Sequence, residues 1–254
     1  MVTKSALPTD PVNPRRPGLI RRIDLLRRQM IRGLFWRPGK ALPGKQTMVI
    51  IDPMLTPPEK NLVVNPAYCL ADYVTQLADV NIDLIHYPRA EGSRVMQQNP
   101  VCVLLSGLTA PWTDYEPVKL EPVSTFLKGT SLPVLGICGG HQVIARAFGV
   151  EVAPMDGREL GYTEVNLIKD DPLFEDLSSP ITIFNWHHEE AKALPADFDL
   201  LGSSDLCPIQ IFRHREKEIY GVQFHPELSG RKPDGKTLLL NFLRLAGISL
   251  RQNS

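Results

Sequence analysis

The segment Gly136-Ile137-Cys138-Gly139-Gly140-His141-Gln142 sets a cysteine where an apolar stretch gives way to a helical one. A nucleophile on such a turn takes strained backbone angles and projects its side chain from the carboxyl end of the strand. Small residues two places to either side prevent clashes, and Gly136 and Gly140 hold those places. A helix starting behind Gly139 would aim unpaired N–H groups and positive dipole at the sulfur. That favours thiolate over a free thiol, whose pKa is about 8.5. Taken alone, the segment also fits a buried structural cysteine beside glycines that merely let strand and helix pack closely.

A second constellation, Gly221-Val222-Gln223-Phe224-His225-Pro226-Glu227, supplies a base. In an extended segment His225 and Glu227 face the same side, and Pro226 discourages helix there. A carboxylate on one imidazole nitrogen fixes the tautomer and leaves the other nitrogen free for a thiol. Alone the tripeptide reads equally as a loop. With the cysteine elbow it completes a nucleophile, a base and an orienting acid. The two motifs in this order resemble the class I glutamine amidotransferase family, and among its members the GMP synthase-type glutaminase domain. The resemblance covers roughly residues 46–248.

It implies an α/β fold of the class I glutamine amidotransferase-like, flavodoxin-like kind. It also implies that Cys138 attacks the side-chain amide of glutamine to form a γ-glutamyl thioester. His225 would pass a proton to departing ammonia and then activate water, with Glu227 orienting it. The oxyanion would be held by N–H groups of Gly139 and of Gly107, in the loop Ser106-Gly107-Leu108-Thr109. That loop departs from the family's Gly-Gly-Pro run, because Leu108 and Thr109 replace the second glycine and the proline. Gln142 matches the family glutamine that contacts substrate. Trp186-His187-His188-Glu189-Glu190 stands in place of a Ser-His-x-Asp segment, which makes His188 and Glu190 substrate-binding candidates, with Glu190 facing the α-ammonium group. His187 replaces the serine.

The resulting expectation is glutamine hydrolysis to glutamate and ammonia for a separate acceptor enzyme. No synthetase domain fits within the 254 residues. Two alternatives stay open: a free-standing γ-glutamyl peptide or amide hydrolase using the same triad, and a scaffold with a decayed site. No cofactor and no metal set are expected, and no nucleic-acid partner. Gly230-Arg231-Lys232-Pro233-Asp234-Gly235-Lys236-Thr237 matches a phosphate-loop pattern letter by letter. Such a loop should follow directly on a buried strand; this one trails His-Pro-Glu and opens the last helix. Cys69, Cys102 and Cys207 carry no supporting context, and no CxxC pair suggests zinc.

Around these motifs, strands are expected at Thr47–Ile51, Ile82–Tyr87, Val101–Leu105 and Pro133–Ile137. Helices are expected at Ala67–Ala78, between Glu116 and Lys128, and from Gln142 to Phe148. This order predicts a mostly parallel central sheet flanked by helices. The C-terminal half turns β-rich: Thr163–Ile168, Ile181–Phe184, Leu200–Ser203, Ile209–Phe212 and Glu218–Phe224, then a helix from about Thr237 to Leu245.

The formal net charge is zero, but residues 1–45 hold eleven Lys and Arg against two acids, a net of +9 balanced by −9 in the rest. Leu19, Ile23, Leu26, Met30 and Leu34 recur at helical spacing within this basic, proline-rich arm. A boundary near residue 45 therefore separates an arm (1–45) from the amidotransferase-like domain (46–250). The arm is expected to dock on a protein surface, its own body's or a partner's, in preference to an anionic membrane. Four scattered cysteines and apolar runs of about five residues, against the ~18 that span a bilayer, make a reduced, cytoplasmic setting the default.

Overall fold

The run Thr-Met-Val-Ile-Ile-Asp forms β1 (Thr47–Asp52) because it can bury both of its faces. Met48 and Ile50 enter one core, Val49 and Ile51 the other, as strands inside a helix-covered sheet do. The computed structural model describes residues 31–33, 36–60, 65–228, 230 and 232–251. After β1 the chain alternates: α1 (Pro66–Leu77), β2 (Asn81–His86), α2 (Gly92–Met96), β3 (Cys102–Leu105), α3 (Pro117–Gly129), β4 (Val134–Ile137) and α4 (Gly139–Ala147). Then come β5 (Val152–Leu167), β6 (Ile181–Ala191), β7 (Phe198–Ser203), β8 (Ile211–His214), β9 (Ile219–Val222) and α5 (Pro233–Leu245).

The nine strands form one sheet in the order β2-β1-β3-β4-β9-β8-β7-β5-β6. From β2 to β9 every neighbour is parallel, in the doubly wound arrangement expected of a flavodoxin-like fold. From β9 to β6 every neighbour is antiparallel. The sheet is therefore mixed, which corrects the expectation of a mostly parallel one. Parallel neighbours need a crossover of a dozen or more residues, whereas β8 and β9 are joined by a short turn that only antiparallel strands can use. One core packs the sheet against α1 and α5, through Leu70, Val74, Leu239 and Leu243. The other packs it against α3 and α4, through Val123, Leu127 and Ile144.

Several boundaries move for local reasons. Strands β5 and β6 run well beyond Thr163–Ile168 and Ile181–Phe184. Along β6 the buried positions alternate with exposed ones, but two of the buried ones are His187 and Glu189, so hydrophobicity hides the period. Helix α4 begins at Gly139 instead of Gln142, and α5 at Pro233 instead of Thr237. Pro233 is well suited to a first turn, where its missing N–H is not needed. Strand β8 starts two residues after Ile209.

Most of the helix expected at residues 19–35 lies outside the described residues. Its end and the segment after it rest on the chain's own body. Arg32 pairs with Asp72 of α1 at 3.2 Å, and the Trp36 ring lies 5.7 Å from that of Tyr68. Lys45 pairs with Asp79 at 2.7 Å. No helix among the described residues is long and apolar enough to cross a membrane.

Helix α1 borders the site described next, and its start is fixed by Asn65. The Asn65 Oδ1 accepts from Ala67 N at 2.7 Å and from Tyr68 N at 3.4 Å, while Nδ2 donates to Asp52 Oδ2 at 3.0 Å. Losing a helix cap typically removes about 0.5–2 kcal/mol. Asn65→Ala should therefore lower the unfolding free energy in urea by about 1–2 kcal/mol; no measurable change would show that the cap is dispensable.

Candidate active site

The carboxyl ends of the parallel strands β3, β4 and β9, which are neighbours in the sheet, each lead into part of the site. In open α/β sheets this edge is where ligands bind. Strand β4 ends at Ile137, and Cys138 turns the chain into α4 with φ 50° and ψ −104°. Its N–H donates to Val222 O of β9 at 2.8 Å, which pins the turn to the neighbouring strand.

The glycines around the elbow are steric necessities. A Cβ on Gly136 would stand 2.5 Å from Gly140 O, one on Gly140 would strike the Leu105 carbonyl, and one on Gly139 would strike Leu108. The middle glycine was given only a hydrogen-bonding role by the motif; in the fold it is also the seat of the Leu108 side chain. The Cys138 thiol faces Trp186 O at 3.9 Å and receives Gln223 Nε2 at 3.8 Å.

Strand β9 leads into His225 and Glu227. Both are buried, and His225 Nδ1 lies 2.7 Å from Glu227 Oε1. The local geometry differs from the extended segment expected: Pro226–Leu228 is a 3-10 turn, which brings the carboxylate back under the ring. The His225 N–H donates to Phe184 O at 2.8 Å, tying the turn to β6. Burial alone would lower the pKa of His225. The Cys138 sulfur and the Glu227 carboxylate beside the ring outweigh burial and raise it well above 6.5. The remaining face of the ring meets the loop after β3, where a Cβ on Gly107 would stand 3.0 Å from His225 Cε1. Gly107 thus lies against His225, and Leu108 beside it packs on Gly139, the residue after the cysteine.

Gln142 is buried and fully engaged. Its Nε2 donates to Glu189 O at 2.8 Å and to Gln223 Oε1 at 3.2 Å, and its Oε1 accepts from Trp112 Nε1 at 2.7 Å. It joins α4, β6 and β9 behind the cysteine and borders a cavity of about 30 Å³ together with Cys138, His188 and Glu189. A larger cavity of about 400 Å³ adjoins it, with His188 on both walls.

Glu190, expected to face the substrate, borders neither cavity; its carboxylate pairs with Lys192 at 2.8 Å. Its neighbour Glu189 is the carboxylate at the smaller cavity, where Oε1 accepts from Trp112 N at 3.4 Å. Trp112 went unmarked in the sequence, and Trp186, Gln223 and Glu189 stood inside the motifs without a role. Gln223 alone carried a signal, two residues before the histidine.

Behind β6 lies a second buried polar group. Glu159 Oε2 is 2.9 Å from His187 Nε2, Ser204 Oγ donates to Glu159 Oε1 at 2.7 Å, and Gln210 Nε2 donates to Oε2. Cys207 closes a Glu-His-Cys set close enough to hold a metal ion. Its residues are far apart in the chain, which is why no spacing revealed them. With Glu159 already accepting from three donors, the set stands as a hydrogen-bond network. His141, beside the elbow, is a packing residue: its ring stacks 4.3 Å from Phe212, and burial, with a smaller effect from His187, pushes its pKa down to about 3. The phosphate-loop-like string follows the turn at Pro226–Leu228, not a strand, and Lys236 lies inside α5.

Residues 67–245 match the family described as glutamine amidotransferase class-I. The chain is 38% identical over 120 residues to a glutamine-hydrolysing GMP synthase subunit of Methanobrevibacter smithii, covering 47% of this chain and 63% of that protein. It is 40% identical over 117 residues to the protein of the same name from Pyrococcus furiosus, covering 46% and 62%. The chain thus spans less than two thirds of the curated relatives it matches. A solved structure of a candidate GMP synthase subunit from Thermoplasma acidophilum superposes with a TM-score of 0.66 at 28% identity, covering 81% of this chain and 96% of that one. A glutamine amidotransferase from Thermotoga maritima superposes at 0.63 with 17% identity, covering 80% and 98%, which speaks to the fold alone.

The raised pKa of His225 has a consequence for stability. The folded protein holds this proton more tightly than the unfolded chain does. Its contribution is complete below the ordinary value of 6.5 and is lost as pH climbs through the raised one. Unfolding free energy from urea titrations should fall with pH above about 6.5 in the wild type, and His225→Ala should flatten that fall. Identical slopes in the two proteins would contradict the assignment.

Proposed function

Because the chain belongs to the glutamine amidotransferase class-I family, we propose that it hydrolyses the side-chain amide of glutamine through Cys138, His225 and Glu227. The observation that carries this reading is one imidazole held at 2.7 Å by Glu227 and in reach of Cys138 on a strained turn. Fixing one ring nitrogen on a carboxylate leaves the other to exchange a proton with sulfur and substrate.

In the first half-reaction Sγ attacks the amide carbon, and the C–N bond breaks as His225 gives its proton to the leaving nitrogen. The developing oxyanion is met by N–H groups of Gly107 and Gly139, in a hole that Leu108 makes narrower than glycines alone would. In the second, His225 takes a proton from water, which attacks the thioester and frees glutamate. Glu189, the acid bordering the smaller cavity, takes the ammonium-binding role first assigned to Glu190, and His188 contacts the substrate where the cavities meet. Gln142 acts as a positioning residue, because both of its amide N–H groups are taken by protein partners. Ammonia passes to an acceptor enzyme on a separate chain, in keeping with relatives that are named as subunits of a synthase.

Cys138→Ala should lower glutamate release from glutamine by about 10³-fold or more, with Glu227→Gln milder because it keeps part of the orienting bond. Glu189→Gln should raise KM for glutamine about tenfold, the worth of one charged hydrogen bond, whereas Glu190→Gln should not. Retention of wild-type turnover in Cys138→Ala would sink the triad. A KM effect at Glu190 and none at Glu189 would restore the original assignment.

A further inference from the structure

The His187 ring lies between two acceptors. The sheet register sets this residue directly opposite Glu159 of β5, just past the irregularity between Pro154 and Glu159. Its Nε2 is 2.9 Å from Glu159 Oε2, and its Nδ1 is 3.2 Å from Glu189 O. Burial alone would raise the pKa of Glu159, but hydrogen bonds from His187, Ser204 and Gln210 outweigh it and lower that pKa. Glu159 is therefore a carboxylate. A neutral imidazole offers one donor and one acceptor, whereas a carboxylate and a carbonyl both accept. Only the doubly protonated ring satisfies both contacts. Glu159 and His187 are buried, so bulk water is not at hand to replace either partner.

The other groups around the ring leave its proton in place. Burial, with smaller effects from Glu159 and Glu190, pushes the Cys207 thiol up, so it stays uncharged. His141 stays neutral, its pKa near 3, and Glu190 is paired with Lys192. On the far side of the ring, Glu189 O also accepts from Gln142 Nε2 at 2.8 Å. One donor on β6 and one on α4 thus use both lone pairs of this carbonyl. His187 and Glu189 both border the smaller cavity.

In the reaction proposed above, on which this inference rests, Glu189 receives the substrate's ammonium group. We propose that His187 is a positioning residue for that reaction, a buried imidazolium that Glu159 keeps charged and that holds the Glu189 backbone in its substrate-binding place. Loss of a ring proton falls on Nδ1, because the carboxylate holds the proton on Nε2 more strongly than the carbonyl holds the other. A lone pair then faces Glu189 O, and the carbonyl is repelled where it was bound. Both ring nitrogens are engaged away from Cys138, so the bond-making steps proceed without the ring. KM for glutamine is therefore lowest where the ring is charged and rises as pH climbs through the loss of its proton.

The test combines kinetics on glutamine with ¹⁵N NMR of the histidine rings in the full-length protein. The wild-type His187 ring should carry two protons near neutral pH, and KM should rise at the pH where one is lost. His187→Gln, which has no donor at the Nδ1 position, should raise KM about fivefold, the worth of one hydrogen bond, with kcat within about twofold. His187→Asn, whose amide N–H stands in for Nδ1–H, should keep KM within about twofold of wild type and abolish its rise with pH. Glu159→Gln should shift that rise to lower pH. A wild-type ring with a single proton near neutral pH would overturn the inference, and this measurement needs no variant. KM raised equally by the Gln and Asn variants, or kcat lowered in both with KM unchanged, would also overturn it and reduce the pair to a structural role. In each of these cases the wild type still releases glutamate. Its failure to do so would overturn the proposed function, and the positioning role with it.

Discussion

The backbone of Cys138 is held at φ 50°, ψ −104°, a conformation that strains a residue with a Cβ by roughly 1–3 kcal/mol. A free chain would relax it. Here it cannot relax, because α4 lies so close to β3 and β4 that Gly136 and Gly140 leave no room for a side chain. The bond from Cys138 N to Val222 O fixes the turn to β9 as well. The same close packing that strains the cysteine buries the two faces of β3 and β4, so the strain is spread over a core much larger than itself. Relieving it would mean separating α4 from the sheet.

From that fixed point the rest of the site is referenced by hydrogen bonds. Gln142, one turn into α4, ties the elbow to Trp112, to β6 through Glu189 O, and to Gln223 just ahead of His225. The wall of the site formed by β6 is held from behind by Glu159, His187, Ser204 and Gln210. Buried polar groups are expensive unless paired, and these pairings hold Gln142, His187 and Glu189, which border the smaller cavity. The substrate walls are thus set by a polar framework, whereas the larger cavity beyond His225 is apolar.

The elbow and the histidine–glutamate pair were legible in the sequence because their chemistry demands residue types at short, fixed spacing. The parallel half of the sheet was legible because its strands are short apolar runs separated by helical periods. The antiparallel half was read as strands without its pairing, since the order β9-β8-β7-β5-β6 departs from chain order and nothing local announces it. Strand β6 was cut short because its buried face is carried by Asn185, His187 and Glu189. Glu190 was favoured by its acidic charge and its place in the motif, whereas Glu189 is the carboxylate that borders the smaller cavity and Glu190 pairs with Lys192. The His-Pro-Glu contact was anticipated for the wrong local reason, a turn having replaced the extended segment.

The central claim is that Cys138 carries the acyl group. Its most direct test is mass analysis of the Cys138 peptide from wild-type protein quenched in acid during turnover of glutamine. A γ-glutamyl adduct on Cys138, absent from a sample quenched before mixing and absent in His225→Ala, is the result the account predicts. Full release of glutamate and ammonia with Cys138 unmodified at every quench time, and undiminished in Cys138→Ala, would contradict it.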